Sequence, residues 1–227
     1  MTPIEMQRNF LSEIGLSENT ERIPSNEIFY FINKAQDKFI KDLYREGFEI
    51  DQALTDRLRV FLVKDLPIET TFAGEFSGTK GFVVDYIEFP DDYLHLISQR
   101  SKTHYNRNGI NYNVNNGRRI PTNATVSGIY FNRYSQSDDI YKLLNDPFNK
   151  TKHNKPISDI NNNKLNIYTD DTFIVSDVIL NYLRKPKEIS LQQGCEIPES
   201  FHEEIIEQAV GLFSRTQPTN SQEDKEN

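Results

Sequence analysis

Apolar residues recur every three or four positions near the start of the chain, which is the period of an α-helix. The longest stripe lies within residues 25–46 and comprises Ile28, Ile32, Ala35, Phe39 and Leu43. A shorter stripe within residues 3–14 comprises Met6, Phe10 and Ile14. Each stripe predicts an amphipathic helix. The two helices are expected to end at Gly15 and Gly47, because glycine tolerates the left-handed backbone that closes a helix.

The residues before the first helix form a helix-start signal. Thr2 precedes Pro3, and Glu5 lies three positions after Thr2. A threonine and a glutamate at this spacing can each bond the other's backbone N–H, and proline suits the first helical position because it has no N–H to satisfy. We therefore predict a capping box at Thr2 and Glu5.

Two further helices are predicted. The third would start at Asp51, with Leu54, Leu58 and either Phe61 or Leu62 facing inward, and would form an antiparallel pair with the second. The last lies in "CEIPESFHEEIIEQAVGLF", where Ser200 and Glu203 repeat the capping-box spacing. Residues 215–227 are too polar to repay the entropy of ordering, so we expect a flexible tail.

The helical period is absent between residues 66 and 191. Runs of β-branched and aromatic residues replace it: "FVVDYIEFP", "LHLISQRS", "VSGIYFNRY", "KLNIYTDD" and "FIVSDVILNYLRKP". Such runs predict strands, and the Asn- and Gly-rich residues 106–121 predict a loop or hairpin tip. A turn at Asp170 and Asp171 would join the last two runs as a hairpin. The final strand is expected to be central because it is almost continuously apolar.

A polar stretch interrupts this region: "DDIYKLLNDPFNKTKHNKP", residues 138–156. Ser135 and Asp138 give a start signal for a two-turn helix that ends near Asn145, and Pro147 prevents its continuation. The rest carries several lysines and one aromatic residue, Phe148. With so little to bury, residues 147–156 are predicted to form an extended arm that docks on another chain.

These elements together predict an α+β fold. No amphipathic helix can bury its stripe alone, so residues 1–64 and 192–214 are expected to pack as one helical bundle. Residues 65–191 would then be a large β-rich insertion with extended arms.

Composition adds constraints on function. The 227 residues include 34 acidic and 26 basic side chains, and the net charge of −8 argues against specific nucleic-acid binding. With 15 Phe and 11 Tyr in a chain that is only 36% hydrophobic, aromatic contact surfaces are favoured. The single cysteine, Cys195, excludes a disulfide framework and suits a reducing cytoplasm. No run suggests a secretion signal or a membrane span.

Catalytic patterns are weak. Three pairs of adjacent aspartates are Asp91–Asp92, Asp138–Asp139 and Asp170–Asp171. They could hold metal ions in a nuclease, but each falls at a predicted turn or cap, where aspartate is favoured for backbone reasons. The histidines lack metal-ligand spacing: His95, His104, His153 and His202. We interpret His202 as a solvated helix-face residue and Cys195 as a partly buried structural residue, and we expect no enzyme, cofactor or metal site.

Three basic clusters stand against the acidic background: Arg118–Arg119, residues 150–155, and Arg184 with Lys185 and Lys187. Ordinary solvated charge explains each cluster, and so does contact with an acidic partner or a DNA backbone. The middle cluster favours the second interpretation because it lies in the predicted arm, beside Phe148.

The stretch "NYLRKPKEISLQQGCEIPESFHEEIIEQAVGLF" resembles the ring, or head–tail connector, subunits of crAss-like bacteriophages. The resemblance is carried by Tyr-x-Arg-x-Pro, Ile-Ser-Leu, Cys-Glu-x-Pro-Glu and a helix that starts His-x-Glu-Ile. "YKLLNDPFNKTKHNKP" resembles the inserted region of these subunits. "NEIFYFINKAQDKFIKDLY" resembles the first long helix of the wider head-to-tail adaptor group.

This resemblance implies a structural virion protein with a helical bundle interrupted by β-rich insertions, and no catalytic residues. Copies of it, commonly twelve, would form a ring below the portal at the head–tail junction. The ring would extend the DNA channel without binding DNA specifically and would provide a platform for other ring or tail proteins. The protein would be made in the host bacterial cytoplasm and end in the virion.

Candidate contact residues come from the basic clusters, the arm and the last helix: Arg118, Arg119, Phe148, Lys150, Lys152, Lys155, Phe201, His202 and Glu203. Three alternatives stay open. The chain could be another virion protein, such as a tail-hub or tail-fibre-attachment subunit. It could also be a metal-dependent nuclease or a binding module of a bacterial cell.

Overall fold

A computed structural model describes residues 1–15, 23–47, 59–77 and 81–216. The protein is a mixed α+β structure, as the sequence predicts. Its contacts divide the chain into two compact units. The helical unit comprises Met1–Phe61 with Lys185–Asn227, and the β unit comprises Leu62–Arg184.

The helices are α1 (Pro3–Glu13), α2 (Ser25–Gly47), α3 (Ser137–Asn145) and α4 (His202–Thr216). The strands are β1 (Leu62–Glu69), β2 (Thr71–Glu75), β3 (Val83–Glu88), β4 (Tyr93–Tyr105), β5 (Tyr112–Asn115), β6 (Arg118–Pro121), β7 (Val126–Phe131), β8 (Arg133–Tyr134), β9 (Ile157–Asn161), β10 (Lys164–Thr169) and β11 (Phe173–Arg184). Most of the predicted third helix, residues 51–58, lies outside the described residues. Its last residues, Arg59–Phe61, form a 3-10 turn rather than an α-helix, and Leu62 begins β1. Phe61 is buried, as one of the two predicted alternatives requires. Residues 217–227 of the predicted tail also lie outside the described residues, whereas residues 215 and 216 belong to α4.

The predicted capping box of α1 is confirmed. The Glu5 backbone N–H donates to Thr2 Oγ1 at 3.3 Å, and the Thr2 N–H donates to Glu5 Oε2 at 2.7 Å. These bonds satisfy N–H groups that the start of a helix leaves without partners, and the bond from the Thr2 N–H lowers the pKa of Glu5. Gly15 closes the helix with φ of 74°, in the left-handed region.

The helical unit is held by apolar stripes from α1, α2 and α4. Met6 and Phe10 of α1 are fully buried, as are Ile28, Ile32 and Ala35 of α2. The Phe213 ring of α4 meets the rings of Phe10 and Phe31 edge-on, with centroids 5.7 and 5.3 Å apart. The described residues of the two predicted stripes therefore contribute to one shared core, with Ile14 only partly buried. The Leu43 side chain lies outside the described residues.

Polar side chains of α2 position the chain that leads to α4. Asn33 donates to the Ile189 carbonyl at 3.0 Å and accepts from the Ile189 N–H at 2.7 Å. Gln36, which is 1% exposed, donates to the Lys187 carbonyl at 3.1 Å and accepts from Cys195 Sγ at 3.4 Å. Cys195 is partly buried, as interpreted, and burial raises the pKa of its thiol.

The β unit contains two packed sheets. One is antiparallel with the order β1-β11-β4-β7, and the other has the order β2-β3-β10-β9-β8. Apolar residues from both sheets form one core, and they include Ile87, Leu165, Ile167, Phe173, Val178 and Leu180. The prediction that the strand at residues 173–184 is central is confirmed, because β11 pairs with β1 on one side and β4 on the other.

The predicted hairpin at Asp170 and Asp171 is wrong, because β10 and β11 belong to different sheets. Asp170 Oδ1 instead accepts bonds from the Thr172 N–H and hydroxyl, which shape a turn between the sheets. The hairpin forms one strand earlier, between β9 and β10, where Asn162 and Asn163 have φ of 49° and 60°. Asparagine tolerates this left-handed backbone better than most residues.

Residues 106–121 include the hairpin tip that the sequence allows. β5 pairs with β6, and the turn residues Asn116 and Gly117 have φ of 49° and 75°. α3 also forms as predicted, with Ile140 and Leu144 buried against Ile157 and Tyr168. Its predicted cap is wrong, because Gln136 occupies the cap position and makes no side-chain cap bond.

Candidate interaction surface

Residues 150–155, which we call the lysine turn, form a tight reversal on the β unit. The Lys155 N–H donates to the Lys152 carbonyl at 2.9 Å, and the Lys152 N–H donates to the Lys155 carbonyl at 3.4 Å. Two residues paired in this way project their side chains to the same side. Both lysines are exposed, and so is Lys150.

Buried contacts anchor the lysine turn. Thr151 is fully buried, and its Oγ1 donates to the Tyr168 carbonyl at 2.6 Å and accepts from the Ile157 N–H at 3.2 Å. The His153 ring stacks on the Tyr105 ring, with centroids 4.1 Å apart. The prediction of an extended arm is therefore wrong. A buried hydroxyl and a stacked imidazole fix the segment, although it contains few apolar residues.

Phe148 precedes the lysine turn on a second fixed loop. Asp146 Oδ1 accepts from the Phe148 N–H at 2.9 Å, and Asp146 Oδ2 accepts from Asn149 Nδ2 at 2.6 Å. These bonds, led by the one from Asn149, lower the pKa of Asp146. The Phe148 ring is 85% exposed on this ordered backbone. Binding of a partner over this ring would therefore cost little conformational entropy, because the loop is already ordered.

The lysine turn carries charge that the described residues do not neutralise. Lys142 of α3 lies 3.4 Å from Asp139, but Lys150, Lys152 and Lys155 have no such partner within the described part of the chain. Like charges directly opposite each other destabilise a paired turn. The turn therefore presents uncompensated positive charge on an anchored backbone, which suits an anionic partner.

Arg119, a predicted contact residue, is instead buried. It is 3% exposed, and its guanidinium donates two bonds to Asp85, one of them at 3.0 Å from Nε to Oδ1. It also donates to Thr169 Oγ1 at 2.6 Å, and the rings of Phe72 and Tyr112 lie 5.5 and 5.0 Å from it. Arg119 therefore holds the β5–β6 hairpin on the β unit rather than presenting charge.

Arg118, the neighbour of Arg119, points to the surface. It pairs with Glu69 and lies 3.6 Å from Asp177, with about a third of its side chain exposed. The third basic cluster also contains a paired residue, because Lys187 lies 3.8 Å from Glu196. The two basic clusters outside the lysine turn are thus at least partly neutralised within the chain.

The three candidate contact residues near the start of α4 differ in their exposure to solvent. His202 is 4% exposed, and its Nε2 lies 2.8 Å from the Ile197 carbonyl, so its interpretation as a solvated residue is wrong. Phe201 is partly buried against Phe39, with ring centroids 5.5 Å apart. Glu203 alone is exposed. A short 3-10 turn, Glu199–Phe201, precedes α4, so the capping box predicted at Ser200 and Glu203 is wrong because Ser200 lies inside this turn.

Glu203 lines a groove between α1 and α4, which we call the acidic groove. Its volume is about 290 Å³, and it is lined by Asn9, Ser12, Glu13, Glu203, Ile206 and Glu207. The three glutamates are exposed. None of them has an ion-pair partner among the residues that the structure describes.

The acidic pairs occupy turns and a helix start, where the sequence predicts them. Asp92 Oδ1 accepts from the Tyr182 hydroxyl at 2.9 Å, and burial together with this bond raises the pKa of Tyr182 to about 12. Asp138 and Asp139 lie in the first turn of α3. In the ranges given above, no three His, Cys, Asp or Glu side chains gather as metal ligands would.

Sequence reasoning missed a row of polar side chains across three strands. His104 Nδ1 lies 2.8 Å from Ser127 Oγ, and His104 Nε2 lies 3.1 Å from Ser176 Oγ. Ser176 donates in turn to Asp177 at 2.7 Å. Burial lowers the pKa of His104, which favours the neutral ring. Only the strand register brings these residues together, so no local sequence signal could have revealed them.

Exposed apolar residues occur on both units. In the helical unit, Tyr30 and Leu191 line an open groove of about 550 Å³. In the β unit, Ile129 and Phe131 are exposed on β7, an edge strand. Large exposed apolar side chains near one another are typical of contact surfaces.

Comparison with known proteins adds no relative: no family model matches the chain, and no curated protein matches it either. Across the described residues, no helix combines the length and the apolar character that crossing a membrane requires. Function is therefore inferred from the motifs in the sequence and from the surfaces described above.

Proposed function

We propose that this chain is a structural subunit of a tailed bacteriophage, without enzymatic activity. In this proposal about twelve copies form a closed ring below the portal at the head–tail junction. The ring extends the DNA channel and supports tail attachment. The proposal is supported by the resemblance of residues 181–213 and of the segment around Phe148 to ring subunits of crAss-like phages.

The division into two units suits this role. The helical unit would be the bundle of an adaptor, and the β unit would be an insertion that carries docking surfaces. An insertion of this kind can change its contacts without disturbing the core that supports it. The net charge of −8 would let DNA pass through the lumen without adhering.

The observation that carries the proposal is the anchored lysine turn beside Phe148. An exposed aromatic ring next to three lysines that no described carboxylate neutralises is a contact element for another protein rather than part of a substrate pocket. In a ring, many copies of such an element act together, so that each contact can be weak while the assembly is stable.

The test uses the purified chain and the portal protein of the same phage. Mixing them should produce a ring stacked on the portal, visible by negative-stain electron microscopy. Immunogold labelling of intact virions should place the chain at the head–tail junction. Labelling at the tail tip would favour a tail-hub or fibre-attachment role, and absence from purified virions would refute the proposal.

A separate assay addresses the nuclease alternative. Incubation with DNA and divalent metal ions should leave the DNA intact. Degradation that is lost on Asp138→Ala or Asp170→Ala substitution would contradict the structural role.

A further inference from the structure

We propose that the lysine turn of one copy docks in the acidic groove of a neighbouring copy, with Lys152 and Lys155 facing Glu203 and Glu207. This inference rests on the proposed function, because it names the contact that would join ring subunits. It commits to a second copy of this chain as the partner. The two surfaces are complementary in charge, and the described residues neutralise neither of them.

The lysine turn presents two positive charges on a fixed backbone. Lys152 and Lys155 lie directly opposite each other in a bonded pair, and no carboxylate among the described residues neutralises them. Thr151 and His153 fix the backbone below them, so the two ammonium groups are presented without loss of loop entropy. An anionic partner would relieve the repulsion between the two lysines.

The acidic groove presents the opposite charge in a similar arrangement. Glu203 and Glu207 are four residues apart on α4, so they lie on the same helical face, and like charges at this spacing destabilise a helix. Glu13 of α1 adds a third carboxylate to the groove. A cationic partner would relieve this repulsion, which is the reverse of the situation in the lysine turn.

The spacings of the two charge pairs agree. Residues opposite each other in a paired turn have Cβ atoms about 4.5–5.5 Å apart, and residues four apart on a helix have Cβ atoms about 5–6 Å apart. Two ammonium groups can therefore meet two carboxylates one to one. Lys150 adds a third exposed cation to the lysine turn, as Glu13 adds a third carboxylate to the groove.

The contact joins two different surfaces of the same chain. Such a heterologous contact leaves a free groove on one copy and a free turn on the other, so further copies can add until a ring closes. This is the type of contact that a cyclic adaptor needs. An isologous contact would end at a dimer.

A reciprocal charge exchange tests the contact. The first variant carries Lys152→Glu and Lys155→Glu, and the second carries Glu203→Lys and Glu207→Lys. Sedimentation velocity at low salt should show that the wild type self-associates, with association weakened at higher salt as charges are screened. Each variant alone should associate about tenfold or more weakly. An equimolar mixture should recover association, because the acidic turn of one fits the basic groove of the other.

Neutral variants provide the matched control. Lys152→Gln with Lys155→Gln, and Glu203→Gln with Glu207→Gln, should each weaken association when alone. On mixing, the intact turn of the second variant fits the intact groove of the first, but the remaining turn and groove are both neutral. The neutral mixture should therefore stop at one-to-one complexes, whereas the charge-exchanged mixture should form larger assemblies. Circular dichroism and thermal melting check that every variant is folded, and the neutral pair replaces a charge-exchanged variant that fails this check.

Several outcomes would overturn the inference: a wild type that stays monomeric at low salt, variants that associate as strongly as the wild type, or a mixture without recovery. These results are separable from the proposed function. Portal binding without self-association would refute this contact and leave the virion role standing. Recovery on mixing without portal binding would do the opposite.

Discussion

Two short turns in the β unit carry basic residues that look alike in the sequence, yet the structure treats them in opposite ways. The β5–β6 hairpin directs Arg119 inward, where it is 3% exposed and bonded to Asp85 and Thr169. The lysine turn keeps Lys152 and Lys155 in solvent. A positive charge forms a buried ion pair within the β unit in the first case and is exposed to solvent in the second.

The difference follows from the chemistry of the two side chains and from what lies beneath them. A guanidinium is flat and presents a fork of donors that matches a carboxylate, and it also packs on aromatic rings. Arg119 finds both in Asp85 and in the rings of Phe72 and Tyr112. The lysine turn has a hydroxyl and an imidazole beneath it, neither of which can neutralise an ammonium group.

The largest expected effect comes from breaking the buried pair. Arg119→Ala should lower the free energy of unfolding of the β unit by about 3–5 kcal/mol, because Asp85 would stay buried without its partner. Burial raises the pKa of Asp85, and the charge of Arg119 opposes that rise. Removal of the Arg119 side chain therefore favours the protonated form of Asp85 further. Urea denaturation monitored by circular dichroism measures the change.

The adjacent arginine is the control for this substitution. Arg118→Ala removes ion pairs at the surface and should cost about 1 kcal/mol or less. Replacing both members of the buried pair by apolar residues, as in Arg119→Met with Asp85→Leu, should cost less than Arg119→Ala alone. Equal losses of unfolding free energy at positions 118 and 119 would contradict the contrast between a buried, paired arginine and a surface arginine.

The anchor of the lysine turn should show the next largest effect. Thr151→Val keeps the shape of the side chain but removes the hydroxyl that bonds the Tyr168 carbonyl and the Ile157 N–H. The expected loss is about 1–3 kcal/mol of unfolding free energy, because buried polar groups lose their partner. The matched control is Thr125→Val, whose hydroxyl bonds the Tyr105 carbonyl at an exposed site and should matter little. No difference between the two would mean that the turn is not anchored as described.

A smaller and opposite effect is expected at the exposed charges. Lys152→Glu would place a carboxylate opposite Lys155, and should raise the unfolding free energy by about 0.2–1 kcal/mol, since an attraction replaces a repulsion. Lys142→Glu is the control, because Lys142 already pairs with Asp139 and its replacement creates a repulsion. A destabilising Lys152→Glu would show that Lys152 is already neutralised.

The smallest effect is a difference in titration between two aspartates. Carbon-13 NMR should show Asp85 protonating above the ordinary pKa of 3.8 and Asp146 protonating below it. The ionised form of Asp146 then contributes stability above pH 3.8, and this contribution is lost as pH falls through its lowered pKa. Asp85 acts in the reverse direction, because the folded protein binds its proton more tightly.

Asn149 supplies the control for this titration. Asn149→Ala removes the main bond that lowers the pKa of Asp146 and should move it back toward 3.8, with Asp85 unchanged. Identical titration of the two carboxyls in the wild type would remove the electrostatic distinction between the buried hairpin and the displayed loop.

Sequence reasoning succeeded for this protein where the relevant bonds are local. The Thr2–Glu5 capping box, the α2 stripe and the turn at Asn116 and Gly117 all depend on residues within a few positions of one another. It failed where distant residues decide. The Asp170–Asp171 turn is a good hairpin sequence, but strand partners from β3 and β4 draw β10 and β11 into different sheets.

The candidate contact residues divide on the same principle. That Phe148 and the three lysines have little to bury could be read from the sequence, because the segment offers few apolar neighbours. The burial of Arg119 and His202 could not, because it depends on Asp85 and on the Ile197 carbonyl being positioned by the fold. The row from Ser127 to Asp177 likewise exists only through strand register.

Local sequence specifies α1 with its capping box, α2, the Asn-Gly hairpin turn and the mixed α+β class, because periodicity and short-range hydrogen bonds are enough for these. Tertiary structure alone decided which strands share a sheet, which basic residues are buried and how the lysine turn is anchored. Each of these depends on contacts between residues far apart in the chain, and such contacts are stable only after the two sheets have packed together.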